Sequence, residues 1–173
     1  MANKPRWFTL GEELTGTAIR EALTITHDLT VPDLQVKPIP YMSACHLNAC
    51  LSLSIESNLK GWHSVAVSLL LQSVEALTIL EIGLQDPNYA VPLLHAWAEG
   101  SKSQGELRKS LAKSIWPSYG TGLWDETWSE YFGNLARAVQ PYAHYSPELQ
   151  GWQWVTVKQL NKRSFVLGYK KLS

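Results

Sequence analysis

Trp62-His-Ser-Val-Ala-Val-Ser-Leu-Leu-Leu-Gln-Ser-Val-Glu-Ala-Leu-Thr-Ile-Leu-Glu-Ile-Gly-Leu84 decides the fold. On a helix its apolar residues surround almost the whole circumference and leave a narrow polar seam of Ser64, Ser68, Gln72 and Glu75. A helix that is apolar nearly all round belongs at the centre of a bundle. Lys60-Gly61 just ahead of it reads as a helix stop, with the glycine supplying the left-handed cap. A carboxylate on such a helix must face solvent or meet a partner, because burying it alone is costly. Glu75 therefore reads as the solvent edge or as part of a site. Gln72, Glu75 and Glu81 fall inside the most apolar window, Val65 to Leu84, and argue against a membrane span.

Working outward, Tyr41 to Leu59 carries two patterns. Leu51, Leu53 and Ile55 alternate like a strand, while Ala44, Leu47, Leu51, Ile55 and Leu59 fit a helix. The longer pattern favours a helix. Before it, Pro32, Pro38 and Pro40 predict an extended connector over residues 31–40. Leu10, Leu14, Ala18, Ala22, Ile25 and Leu29 predict a first helix over residues 10–29, with Thr9 and Glu12 at capping-box spacing. Downstream, Asp86-Pro-Asn ends the central helix, and Pro92 is expected to open a short helix running through Trp97. Ser103 and Glu106 form a second capping box for a helix built on Leu107, Leu111 and Ile115. Arg108, Lys109 and Lys113 lie on its outer face, by default a solvated one. Trp116 to Gly122 is a turn-rich loop with aromatic anchors, after which Asp125 is placed to cap the next helix.

That next helix lies in Trp128-Ser-Glu-Tyr-Phe-Gly-Asn-Leu-Ala-Arg-Ala-Val-Gln-Pro-Tyr-Ala-His-Tyr-Ser-Pro147. Trp128, Phe132, Leu135 and Val139 make one apolar stripe. Arg137 lies about half a turn away at ~100° per residue. His144 would share its face if the helix kept its pitch. Pro141 intervenes, and its ring clashes with the carbonyl four residues back, that of Arg137. Beyond Pro147 the period changes: Trp152 and Trp154, then Phe165, Leu167 and Tyr169, surround Leu160 to Arg163 as two short strands and a turn would. A helix there stays open as an alternative.

The chain of 173 residues is long enough for one domain, spanning 1–173, that buries about 70% of its unfolded surface. Its 45% hydrophobic and 17% charged content is that of a globular protein. The expected architecture is all-α, an up-and-down bundle of about five helices, with residues 151–173 as a small β-hairpin extension. No apolar segment follows Lys4 and Arg6 as a signal peptide requires. Cys45 and Cys50 have neither zinc nor disulfide spacing and fit a reducing cytoplasm. Net charge is zero but polarised: residues 1–100 carry −5 and residues 101–173 carry +5. Such polarity can dock an anion, a nucleic acid or the acidic half of a second copy, or it can be two solvated faces. Six of the eight tryptophans fall between Trp97 and Trp154, as core mass or as stacking platforms. His27, His46, His63 and His95 show no metal-ligand spacing, and no phosphate loop, dinucleotide fingerprint or nucleophile elbow is present. No cofactor and no metal are expected.

An arginine and a histidine on one helix face can cleave RNA without a metal. Imidazole titrates near neutral pH and can move the proton of a 2′-hydroxyl or of the leaving oxygen. Guanidinium grips phosphate and offsets the charge that develops on it. Two segments resemble the HEPN superfamily (higher eukaryotes and prokaryotes nucleotide-binding): Leu69 to Ala76, like the central helix, and Asn134 to Pro147, like the Arg-x(4–6)-His motif helix. The resemblance implies a homodimer whose paired motif helices form a composite ribonuclease site from Arg137 and His144, with Glu75 in support. It also implies an RNA-acting role in a defence or toxin–antitoxin system, with a neutralising or scaffold protein as a further partner. On that reading Arg108, Lys109, Lys113, Lys158, Lys162 and Arg163 would contact RNA phosphates. The chain departs from the family pattern at Ala138, usually polar in active members, and at Pro141, where a regular helix is usual. The alternative is a non-catalytic bundle that binds a protein partner or a small ligand through its aromatic-rich half. Neither reading calls for a membrane.

Overall fold

The structure, a computed structural model, describes residues 6–28, 33–121 and 125–143. Among these residues six α-helices form an all-α bundle: α1 (Arg6–Asp28), α2 (Ile39–Leu59), α3 (His63–Gly83), α4 (Pro87–Ala98), α5 (Gln104–Ser114) and α6 (Trp128–Ala143). A 3₁₀ turn at Trp116–Tyr119 links α5 toward α6, and an isolated bridge pairs Thr121 with Thr127. The hairpin expected beyond residue 151 lies outside the described residues.

α3 is the axis. It packs against α2, α4, α5 and α6, while α1 rests on α2. Ile79 and Ile82 belong to a cluster with Val36, Leu94, Leu107, Leu111 and Trp116. Ala76 and Leu80 belong to a second cluster with Ile19, Ala44 and Leu47. A helix that feeds two cores has to be apolar on most of its surface, which is why the sequence carries so few polar positions there. α3 is also long and apolar enough to cross a membrane by length and composition, and the central helix of a bundle meets the same measure.

The helix ends follow local chemistry. Gly61 adopts φ +77°. The Gly61 and Trp62 N–H groups donate to the carbonyls of Asn58 (3.1 Å) and Ser57 (2.8 Å), the paired bonds of a Schellman cap. Gly100 ends α4 in the same way, with φ +68°. The Gly100 and Ser101 N–H groups reach the Trp97 and Ala96 carbonyls at 3.0 and 2.9 Å. At α5 the Ser103 hydroxyl accepts from the Glu106 N–H (3.3 Å), and the Glu106 carboxylate accepts from the Ser103 N–H (2.8 Å), closing the expected capping box. Gly83 answers a different need: a Cβ there would collide with the Pro40 ring, so α3 and the start of α2 approach as closely as they do only because position 83 has no side chain.

Four local expectations are corrected. α1 begins at Arg6, so Thr9 lies within the helix and cannot cap it with Glu12. The proline-rich connector is not extended. Residues 34–38 are turns, closed by Lys37 N–H to the Asp33 carbonyl and Ile39 N–H to the Val36 carbonyl, both 3.0 Å. Pro38 is the N-cap residue of α2 and Pro40 lies in its first turn, where a residue needs no N–H and its φ suits the ring. Pro87, not Pro92, opens α4, and the Asp86 carboxylate caps it by accepting from the Asn88 N–H at 2.9 Å. Asp125 does not cap α6. It takes φ +58°, and Thr127 forms a capping box with Glu130 instead.

Candidate functional site

The Thr127 hydroxyl accepts from the Glu130 N–H at 3.2 Å, and the Glu130 carboxylate accepts from the Thr127 N–H at 2.9 Å. This fixes where α6 starts and so which residues it turns inward. Ala136 and Val139 are buried, and Phe132 and Leu135 are half-buried against α3. Phe132 stacks between Trp116 (ring centroids 5.3 Å) and Trp128 (5.7 Å), an aromatic column that ties the first turns of α6 to the 3₁₀ turn. The stripe seen in the sequence is the seam by which α6 docks.

Arg137 points the other way and is exposed. Its guanidinium donates to the Asn134 side-chain oxygen at 2.6 Å, and its Nε donates to the Gly133 carbonyl at 3.3 Å. The Asn134 amide reaches the Glu126 carboxylate at 3.5 Å. These bonds hold the arginine along its own helix while leaving the cation on the outer face. α6 stays helical through Pro141 as far as Ala143. Pro141 has no N–H, so the Arg137 carbonyl lacks its i→i−4 donor there. His144, Lys158, Lys162 and Arg163 lie outside the described residues.

α5 holds Arg108, Lys109 and Lys113. Lys109 and Lys113 are exposed, whereas Arg108 is half-buried with one terminal nitrogen enclosed and unpartnered. No hydrogen bond or ion pair joins these three to α6 among the described residues.

Glu75 sits elsewhere. It lines an open cleft of about 640 Å³ among α2, α3, α4 and α5, to which α6 contributes nothing. Gln72 of α3 and His46 of α2 share its wall, and Gln104 of α5 supplies an amide oxygen that is buried without a partner. Met42, Ile79 and Trp97 make the apolar part. Behind the wall, the Cys50 sulfur lies 3.4 Å from His46 Nε2 and 3.9 Å from the Gln72 side-chain oxygen. Burial pushes the Cys50 thiol up, so it remains protonated and unreactive near neutral pH. Within one chain, then, Glu75 and Arg137 stand on different sides of α3. The polar seam legible in the sequence supplied Gln72 and Glu75. His46, Met42, Trp97 and Gln104 come from three other helices, and no spacing rule links them.

Two further polar sites are structural. Asp33 accepts from, or shares a proton with, His95 Nε2 at 2.7 Å, tying the turn before α2 to α4. That bond holds the Asp33 carboxyl below its usual range, helped by the Gln35 backbone N–H. Glu81, half-buried, accepts from the Trp116 indole at 2.8 Å. Burial pushes its carboxyl up, and hydrogen bonding from Trp116 and Tyr119 opposes this. Among the described residues no group of three or more His, Cys, Asp or Glu is gathered as a metal site would need. Compared with family models, curated proteins and solved structures, the chain matches none of them.

Proposed function

We propose that the chain is an RNA-acting, HEPN-like protein, a metal-independent endoribonuclease in which Arg137 grips phosphate and His144 moves the proton. One observation carries the reading. The Arg137 guanidinium stands on the outer face of α6, opposite the buried stripe, on a helix that continues through Pro141. Guanidinium presents planar, two-point donors to a phosphate, and imidazole transfers protons near neutral pH. The active form is a homodimer formed partly through residues 126–140, which brings two such faces together, with a neutralising or scaffold protein as a further partner. The test is purified protein with mixed RNA in excess chelator, beside His144→Ala and Arg137→Lys. Loss of the proton carrier lowers the rate by about 10²-fold or more, and Arg137→Lys is also impaired because a lysine keeps the charge without the planar grip. Cleavage unchanged in both variants, or none by wild type, would overturn the proposal.

A second reading, a non-catalytic bundle that binds a small ligand or a protein partner, is favoured by a different observation. The cleft beside Glu75 has the volume and the mix of apolar wall and few polar groups that ligand sites have.

A further inference from the structure

We propose that the cleft among α2, α3, α4 and α5 binds a small organic ammonium ion with an apolar body, its charge held by Glu75. The inference rests on the reading of the cleft as a ligand site and is independent of RNA cleavage.

Charge comes first. The cleft is lined by one carboxylate and by no lysine or arginine. Glu75 is half-buried, and among the described residues it makes no hydrogen bond or ion pair. A half-buried carboxylate with no donor from its own chain is open to one from a ligand, and a cation delivered to it makes a charge-assisted hydrogen bond. Hydrogen-bond sense comes second. Gln104 also lines the cleft, but its side-chain oxygen is enclosed by the protein, which leaves Glu75 as the charged acceptor open to a ligand. An ammonium offers three N–H donors and no acceptor, which suits that carboxylate better than a second carboxylate or a phosphate does.

The rest of the wall sets the body of the ligand. Ile39, Ala76 and Ile79 provide an apolar floor, and Trp97 and Met42, 37% and 62% exposed, stand toward solvent. An indole face near a cation adds a cation–π attraction, and a thioether adapts to an aromatic ring. A volume of about 640 Å³ admits a molecule of one or two rings with room for water.

The experiment is calorimetric titration of the full chain with three probes that share one ring system: tryptamine, tryptophol and indole-3-acetate. The ammonium compound binds saturably and about tenfold more tightly than the alcohol, an advantage set by its charged hydrogen bond, and the carboxylate shows no saturable heat. Glu75→Gln preserves shape, removes the charge and abolishes the advantage of tryptamine over tryptophol. Met42→Lys acts at an exposed position, so the fold is kept. It sets a cation at the mouth, weakens tryptamine and strengthens indole-3-acetate. Equal affinity for all three probes, or an advantage that survives Glu75→Gln, overturns the charge assignment while leaving a ligand cleft. No heat from any probe overturns the ligand site as well.

Discussion

Glu75 and Glu81 stand on the same helix and meet opposite surroundings. Glu81 is at the sealed end of α3, where the Trp116 indole donates to it and Phe132 stacks on that indole. Glu75 is at the open side, facing a cleft with no donor from its own chain among the described residues. A carboxylate that already has its donors is part of the scaffold, and one left without them is available to a ligand. The bundle spends its aromatic mass on the first and leaves the second accessible.

The sealed end is the place to break this contrast most severely. Trp116 is 5% exposed, sits in the larger core, and carries the donor for Glu81. Trp116→Ala removes packing against Leu107, Leu111 and Phe132 and strands a carboxylate. The expected cost is about 4 kcal/mol in urea denaturation, the middle of the range for deleting a buried aromatic side chain. Trp116→Phe keeps most of the volume and loses only the N–H, so it should cost about 1–3 kcal/mol, the penalty for one unsatisfied buried acceptor. If Trp116→Phe costs nothing, the indole is packing and the hydrogen bond contributes nothing; if it costs as much as Trp116→Ala, the hydrogen bond carries the whole effect.

The next effect is on pH. Burial raises the Glu81 carboxyl in the folded chain, so the folded state holds a proton that the unfolded state has already released. Stability from this group is fully present below the ordinary carboxylate pKa and is lost as pH rises through the raised value. Asp33, Glu106 and Glu130 act in the opposite sense. Their carboxyls are lowered by His95, by Ser103 and by the Thr127 backbone, so their contributions are present above the ordinary value and lost as pH falls. Glu81→Gln keeps an acceptor for Trp116 and removes only the ionisation. The variant should gain on wild type from pH 4 to pH 7 in parallel urea titrations, while the acid limb set by the other three carboxylates is unchanged. A variant–wild type difference that stays constant over that range would mean Glu81 is not strained by burial.

These residues also mark how far the sequence could be read. The bundle class, the centrality of α3, the Gly61 stop and the Ser103–Glu106 box were legible because each is set by periodicity or by residues within a few positions. The errors came where two local signals competed. Thr9 and Glu12 have cap spacing, yet α1 starts at Arg6 and absorbs them. Asp125 and Thr127 both precede α6, and the threonine takes the cap because Glu130 lies three residues on to reciprocate. Pro40, read as connector, proved to be a first-turn residue of α2, and Pro87, read as part of a helix end, opens α4. On α6 the stripe and the outward Arg137 followed from 3.6-residue spacing alone. The cleft did not, because Glu75, His46, Trp97 and Gln104 meet only once four helices have packed.

The smallest expected effect sharpens the contrast furthest. Glu75→Gln and Arg137→Ala should each change stability by no more than about 0.5 kcal/mol, the range of substitutions away from core and network. Glu75 has no partner among the described residues to lose. Arg137 loses contacts only to Asn134 and Gly133 on its own exposed surface, and such contacts are worth little in water. Small changes are informative here because Glu81 sits on the same helix and Trp116 in the same core. A protein that tolerates Glu75→Gln and Arg137→Ala but not Trp116→Ala separates the groups that hold the fold from the groups it presents. The measurement is urea denaturation of all three variants at one pH. Destabilisation by Glu75→Gln approaching that of Trp116→Ala would show that the cleft wall is a strut of the bundle, and the carboxylate would then belong with Glu81 rather than opposite it.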